Sequence, residues 1–331
     1  MRMTIETEQR IRNAANQLRA WGGVAILGAG VSLRTGFPLT QDLNNLLWHS
    51  IDQSETACQS LALVTGEADG APVRQIIGDD PSRVALGYGV LRSDASARQS
   101  FQQGFASLDR ERRNNHSFPH DIIAQLIHRG ALKLVVSLNW DSVLETAYCK
   151  RYGVPLPSEG PILYKPHGDV SRPELPWIMP DQAGSIPGAL ADLSHSLASS
   201  HPRVLVVIGY GERDEQVVNS LIRPLSEKWR VIRIGPQAGG ADDIRTSAED
   251  ALPALLSATY DEPELQGWDY VNFDTQHGLV DALLGRGLGP ANVLTCPRLP
   301  EVDAITKTLS LCNIAVVSAS AITQNRPISI T

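Results

Sequence analysis

Four short apolar runs, separated by segments of helical periodicity, limit the fold of this 331-residue chain more than any other feature. They occupy residues 24–27, 132–138, 203–209 and 230–234. They are rich in Val, Ile and Leu, which is typical of strands buried on both faces. Alternation of such strands with helices predicts a parallel sheet covered by helices on both faces. We therefore predict an α/β, Rossmann-like fold with a helical insert.

The insert is predicted between the first two runs. Residues 41–129 repeat apolar side chains at helical spacing, interrupted by glycine and proline. Residues 1–40 and 130–287 then form one Rossmann-like domain. Residues 288–331 are left as a C-terminal appendage, which we expect to serve in assembly.

Local signals place three boundaries along this domain. Residues 118–128 predict a helix that stops at Gly130, and the Ser-Val-Leu-Glu sequence at 142–145 predicts a capping box at the start of another. Residues 155–187, rich in proline and glycine, predict a short strand followed by an irregular loop. Loops of this kind often carry functional residues.

Composition excludes several classes of partner. The chain has 36 acidic and 29 basic residues and a net charge of −7, which argues against direct binding to nucleic acid. Its four cysteines are scattered without metal-ligand spacing, so no metal is expected. No apolar run approaches the ~20 residues of a membrane span, and no secretory signal pattern opens the chain. We expect a cytoplasmic protein.

The first polar cluster closes the first apolar run. Gly-Ala-Gly-Val-Ser at 28–32, followed by Gly-Phe-Pro at 36–38, is typical of a strand that leads into a phosphate-binding helix start. The dehydrogenase pattern Gly-x-Gly-x-x-Gly is not completed, because Leu33 replaces its third glycine. Taken alone, the segment also fits a tight turn that binds no ligand.

Two further clusters follow later strands. Asn139 and Asp141 come directly after the second apolar run, and His167 precedes Gly168 in the proline- and glycine-rich segment. Helix capping would explain Asp141 but does not require Asn139, whose carboxamide both donates and accepts hydrogen bonds. Because the carboxyl ends of parallel strands share one sheet edge, we expect the three clusters to converge.

In this order, the motifs resemble those of the sirtuin-like (silent-information-regulator-like) NAD-consuming domain over roughly residues 23–236. Residues 28–32 resemble its pyrophosphate-binding segment, and 139–141 resemble its Asn-x-Asp motif. The His-Gly at 167–168 resembles its catalytic pair. Gly-Tyr-Gly-Glu-Arg-Asp at 209–214 is similar to the Gly-Tyr-Ser-x-x-Asp of the bacterial sirtuin-like branch.

The resemblance implies a role for each of these residues. Asp141 would bind the nicotinamide carboxamide, and Asn139 would fix a ribose hydroxyl or the attacking water. His167 would be the general base, since histidine titrates near neutrality. The other cofactor-binding residues would be Gly28, Ala29, Gly30, Ser32 and Phe37, with Gly209 and Glu212 near the adenosine half.

Departures from the family pattern narrow the activity. Protein-deacetylating sirtuins usually carry a four-cysteine zinc module after the His-Gly motif, yet residues 168–202 contain no cysteine. The resemblance is therefore to the sirtuin-like domains of bacterial anti-phage defence. It implies an NAD hydrolase that cleaves NAD, as substrate, to nicotinamide and ADP-ribose without a metal.

Two other functions remain open from the sequence. One is an NAD-dependent protein deacylase or ADP-ribosyltransferase, and the other is a non-catalytic nucleotide-sensing subunit. By family resemblance, we expect a homo-oligomer that works in abortive infection, with a HerA-type ATPase or another sensor protein as partner.

Overall fold

The computed structural model describes residues 3–38, 43–68, 70–115, 117–156, 162–174, 177–179, 187–198, 203–212 and 215–260. The predicted appendage at 288–331 lies outside these residues. So do residues 261–287, the last part of the predicted Rossmann-like domain.

Five strands of the described chain form one parallel sheet, as predicted. Their order across the sheet is β3-β2-β1-β4-β5. The order reverses between β1 and β4, which makes the carboxyl ends of these strands the topological switch point of the sheet. The strands are β1 (Gly23–Leu27), β2 (Leu132–Ser137), β3 (Leu163–Tyr164), β4 (Val204–Ile208) and β5 (Arg230–Ile234).

Helices precede, separate and follow the strands. The segment between β4 and β5 contains a π-helical turn, Val218–Ile222, between the short helices α10 and α11. Among the described helices, none has the length and apolar run that a membrane span requires. The helices are α1 (Ile5–Trp21), α2 (Asn44–Asp52), α3 (Glu55–Thr65), α4 (Val73–Ile77), α5 (Pro81–Ser93), α6 (Ala95–Arg112), α7 (Phe118–His128), α8 (Val143–Tyr152), α9 (Pro187–Ala198), α10 (Glu215–Val217), α11 (Arg223–Ser226) and α12 (Ala248–Tyr260).

Helices cover both faces of the sheet because successive strand side chains point to opposite sides. Ala25 and Leu27 of β1 pack into a core that includes residues of α1, α7, α8 and α12. Val24 and Ile26 point into a second core, with Leu190 of α9 and the segment between β4 and β5. The central strands β1 and β4 are therefore buried on both faces, as predicted. The same prediction is wrong for β5, which lies at the edge of the sheet and buries only Ile232 and Ile234 fully, while Arg230 is exposed.

A third core lies within the helices between β1 and β2. It joins side chains of α2 to α6, and the last helix of this region, α7, packs into the sheet core instead. Trp140, from the loop after β2, is part of this third core and makes edge-to-face contacts with Phe101 and Phe105 of α6. The region between β1 and β2 thus packs directly against one of the predicted site loops.

Two local predictions are wrong. The chain after β1 forms two three-residue 3₁₀ turns, Ala29–Val31 and Leu33–Thr35, and not the start of a phosphate-binding helix. Nor is there a capping box at Ser142, whose hydroxyl and backbone amide both donate to Asp109 of α6 at 2.8 Å. The predicted helix stop at Gly130 is confirmed, with φ of +77°.

The turns after β1 and β4 are in backbone contact. The Gly30 amide donates to the Gly209 carbonyl at 2.9 Å, and a Cβ at Gly30 would lie 2.8 Å from that oxygen. Gly209 has φ of +61°, and its own Cβ would lie 2.6 Å from the Val31 nitrogen. Both glycines are therefore required by the approach of the two turns.

Replacing Gly209 by Ala should destabilise the protein by about 2 kcal/mol or more, because left-handed strain adds to a backbone overlap. Gly235→Ala is the matched control: it follows β5, and a Cβ there would have no neighbour within 4 Å. Urea unfolding of both variants measures the difference. Equal midpoints for the two variants would contradict the required close contact.

Candidate active site

Asn139 connects the loops after β1 and β2. Its side-chain amide donates to the Gly28 carbonyl and to the Ser32 hydroxyl, at 3.2 Å in each contact. The backbone amide of Leu138 donates to Leu27 at 2.9 Å and brings the two strand ends together. The Asn139 nitrogen is thus engaged by protein, and its amide oxygen accepts no hydrogen bond from the described residues.

Ser32 is the centre of a buried hydrogen-bond cluster. It is 1% exposed, and its hydroxyl donates to the Asp141 carboxylate at 2.9 Å. Nε2 of His120, on α7, lies 3.4 Å from the same hydroxyl, and Nδ1 of that ring contacts the Ser117 hydroxyl. Three separate elements of the chain therefore meet at this serine.

The hydrogen bonds of this cluster determine which of its groups carry protons. A hydroxyl has one proton, and Ser32 gives it to the ionised Asp141, so it accepts from Asn139 and from His120 Nε2. His120 Nδ1 is then the acceptor for Ser117. This assignment makes His120 a neutral ring with its proton on Nε2.

Burial shifts the pKa values of Asp141 and His120 in opposite directions. It raises the pKa of Asp141 to about 6, against the opposing effect of the Lys165 charge. Burial also lowers the pKa of His120 to about 3, with the Lys165 charge acting in the same direction. At neutral pH the cluster therefore holds an ionised carboxylate beside a neutral imidazole.

Lys165 lies beneath the Asn139–Asp141 loop. Its ammonium contacts the carbonyl oxygens of Trp140 and Asp141 at 3.3 and 2.6 Å, and the carboxylates of Glu145 and Asp169 at 3.0 and 3.3 Å. Its side chain is 1% exposed. Burial opposes its charge, but these carboxylates together with Asp141 keep the pKa of Lys165 above its ordinary value.

The His167 loop is fastened to the Asn139–Asp141 loop. The Trp140 indole donates to the His167 carbonyl at 2.8 Å, and the Val170 amide donates to the Trp140 carbonyl at 2.9 Å. Gly168 has φ of +112°, and a Cβ there would lie 3.0 to 3.1 Å from Trp177. The structure therefore joins two of the predicted motifs through Trp140.

The remaining predicted residues occupy different surroundings. Phe37 is buried in the core of the helical region, where its ring lies 6.0 Å from that of Phe105. Glu212, after β4, has φ of 51° and pairs through both carboxylate oxygens with Arg233 of β5. Ala29 lies in the first 3₁₀ turn, beside the contact between Gly30 and Gly209.

Several polar residues of this site were not assigned roles from the sequence. His120 lies on α7, which is buried along most of its length and is 88 residues from Ser32 along the chain, so its contact with Ser32 depends on tertiary packing. Glu145, the last residue of the predicted capping box, pairs with Lys165, and Asp109 of α6 accepts from Ser142. The useful signal was Lys165 itself, since a lysine inside an apolar strand-to-loop junction requires buried partners.

The buried charge of Asp141 predicts a specific pH dependence of stability. Because the pKa of Asp141 is about 6 in the folded state, against an ordinary value of 3.8, its ionisation destabilises the folded state above pH 6, and this cost is lost as the pH falls from 6 to about 4. A rise of this size corresponds to about 3 kcal/mol. The stability of Asp141→Asn relative to wild type should therefore fall by up to this amount between pH 7.5 and 4.

Urea unfolding at the two pH values measures this change. Asp192→Asn, at an exposed position of α9, is the control, and its stability relative to wild type should be the same at both. A pH-independent difference for Asp141→Asn would show that the carboxyl group is not buried as an anion.

Comparison with known proteins gives structural matches only. No protein-family model matches the chain, and no curated protein matches it. A mutant Sir2 homologue in complex with 2′-O-acetyl ADP-ribose is 15% identical, with a TM-score of 0.48 over 75% of this chain and 96% of its own.

Two further matches are of the same kind. A mutant Sir2 homologue in complex with ADP-ribose is 17% identical, with a TM-score of 0.45 over 78% of this chain and 97% of its own. A Sir2 homologue in complex with NAD is 16% identical, with a TM-score of 0.39 over 76% and 94%. These proteins belong to the family whose motifs the sequence resembles, but similarity at this level transfers no activity.

Within the described ranges, no cluster of three or more His, Cys, Asp or Glu side chains could hold a metal ion. The polar groups that meet at the sheet edge are amide, hydroxyl, imidazole, carboxylate and ammonium. Such groups can orient a polar ligand, accept a proton and support a developing positive charge.

Proposed function

We propose that this protein is an NAD glycohydrolase, which cleaves NAD to nicotinamide and ADP-ribose. The observation that supports it most is the Ser32 cluster, in which Asn139 and Asp141 meet the turn after β1. This cluster lies beside the sheet's topological switch point, where ligands of open α/β sheets bind. Its residues are those of the motifs that resemble sirtuin-like NAD-consuming domains.

This reaction needs little acid catalysis from the protein. The bond between ribose C1′ and the nicotinamide nitrogen breaks, and nicotinamide leaves as a neutral ring with the bonding electron pair. Water forms the new C1′–O bond, and its proton passes to His167 and then to solvent. The protein must hold both rings in place, support the cationic sugar and position the water.

Each residue of the site fits one of these tasks. The amide of Asn139 is fixed by two donated hydrogen bonds, which leaves its oxygen to accept from water or a ribose hydroxyl. The ionised Asp141 carboxylate can accept from the nicotinamide carboxamide and balance the charge of the sugar. Gly28, Ala29, Gly30 and Ser32 would lie along the diphosphate, with Phe37 near them.

The adenosine half would lie over the ends of β4 and β5. Gly209 and Glu212 come from the first of these strand ends, and Arg233 holds the Glu212 carboxylate from the second. The Glu212 carboxylate would accept from a ribose hydroxyl there. In this proposal the two ends of the substrate would lie on opposite sides of the switch point.

His167→Ala tests this assignment. Removing the general base should lower nicotinamide release by at least about 100-fold, with the unfolding midpoint and NAD affinity unchanged. His195→Ala, at an exposed position of α9, is the matched control and should keep wild-type activity. Chromatography of the products measures release, and calorimetry measures NAD affinity.

Each other outcome has a definite meaning. Undiminished cleavage by His167→Ala would contradict its role as base. Cleavage only in the presence of an acylated peptide would identify a protein deacylase, and NAD binding without cleavage by wild type would identify a sensing subunit.

We also propose that assembly controls the activity and that the protein acts in the cytoplasm as an NAD-depleting effector of anti-phage defence. A free NAD hydrolase would exhaust the NAD of its own cell, so activity must await a trigger. The helical region at 41–129 and the appendage at 288–331 are the proposed contact regions, with a second copy or a HerA-type ATPase as partner.

Light scattering combined with activity at increasing protein concentration tests this control. Specific activity should rise with the fraction of oligomer, or on addition of the partner ATPase. Full activity of the isolated monomer, equal to that of any assembly, would contradict control by assembly.

A further inference from the structure

The ammonium group of Lys165 is buried among oxygen atoms of the site, with 1% of its side chain exposed. Four oxygen atoms from three parts of the chain lie within 3.3 Å of it: two backbone carbonyls of the Asn139–Asp141 loop, Glu145 of α8, and Asp169 of its own loop. These contacts connect the loop after β2 with the loop after β3. They are the polar counterpart of the Trp140 contact with His167.

Stability alone is a weak reason for such an arrangement. A buried ammonium loses its hydration, and buried ion pairs are often no more stabilising than apolar side chains of similar volume. Two of the Lys165 contacts are with the backbone carbonyls of Trp140 and Asp141, the residues that follow Asn139. Its charge therefore helps to hold the candidate catalytic loop in position.

We infer that Lys165 is a positioning residue of the proposed reaction: it fixes the Asn139–Asp141 loop against the His167 loop and keeps Asp141 ionised for the nicotinamide end of the substrate. This inference rests on the proposed function for its catalytic consequence. Its electrostatic part is a property of the free protein and can be measured without NAD.

Charges reach Asp141 from every element packed against its loop. Lys165 favours the ionised carboxylate and Glu145 of α8 opposes it. His120 of α7 is neutral above pH 3 and adds no charge near neutrality. Asp109 of α6 binds the adjacent Ser142 and is itself paired with Arg113 at 3.7 Å. Removal of the Lys165 charge and removal of the Glu145 charge should therefore shift the pKa of Asp141 in opposite directions.

Two variants separate electrostatic positioning from simple structural support. Lys165→Met removes the positive charge and should raise the pKa of Asp141 by about one pH unit. Glu145→Gln keeps the shape and the acceptor oxygen of the side chain but removes its negative charge. This variant should lower the pKa of Asp141. Lys150→Met, on an exposed turn of α8, is the control for loss of a lysine.

The titration is followed by NMR of ¹³C-labelled aspartate carboxyl groups, with the Asp141 signal assigned by its loss in Asp141→Asn. Nicotinamide release is measured over the same pH range. Its acidic limb should move to higher pH in Lys165→Met, to lower pH in Glu145→Gln, and not at all in Lys150→Met. General loosening of the fold would not produce shifts of opposite sign.

Shifts in the same direction, or no shift in either variant, would overturn the inference. If Lys165→Met does not fold, the sign of the Glu145→Gln shift decides it alone. If the NMR shifts occur but wild type cleaves no NAD at any pH, the proposed function fails and the electrostatic role of Lys165 stands.

Discussion

Backbone contact between the turns after β1 and β4 is the constraint on which the site depends. These strands are neighbours at the point where the sheet order reverses, and their loops meet through the Gly30 amide and the Gly209 carbonyl. A side chain on either glycine would separate them. The contact fixes the course of the chain through the two 3₁₀ turns, and so fixes the position of Ser32.

The buried position of Ser32 determines what the site can do. One hydroxyl brings together an amide from the loop after β2, a carboxylate from the same loop and an imidazole from α7. Burial alone would keep Asp141 protonated over much of the acidic range, and Lys165 opposes this. The site therefore holds a carboxylate that is ionised at neutral pH yet shielded from water, which suits a cationic reaction centre.

The sequence predicts the fold better than it predicts the contacts of the site. Strands such as Val204–Ile208 are recognisable because burial on both faces requires continuous apolar runs. The position of Asn139 follows from strand order, since polar residues at the carboxyl ends of parallel strands share an edge. His120 and Lys165 do not follow from this rule, because the contacts that join them to the site, with Ser32 and with the Trp140 and Asp141 carbonyls, arise from tertiary packing. The capping-box pattern also gives a wrong prediction at Glu145, where a tertiary ion pair with Lys165 replaces the expected helix cap.

The most direct test is the stoichiometry of products when the purified protein is incubated with NAD alone, without an acylated peptide or an acceptor protein. Water as nucleophile predicts nicotinamide and free ADP-ribose in equal amounts, with none attached to protein. Nicotinamide in excess of free ADP-ribose, with the balance bound covalently to protein, would contradict hydrolysis and identify a transferase. Release of neither product, under conditions in which the protein assembles and binds NAD, would contradict catalysis itself.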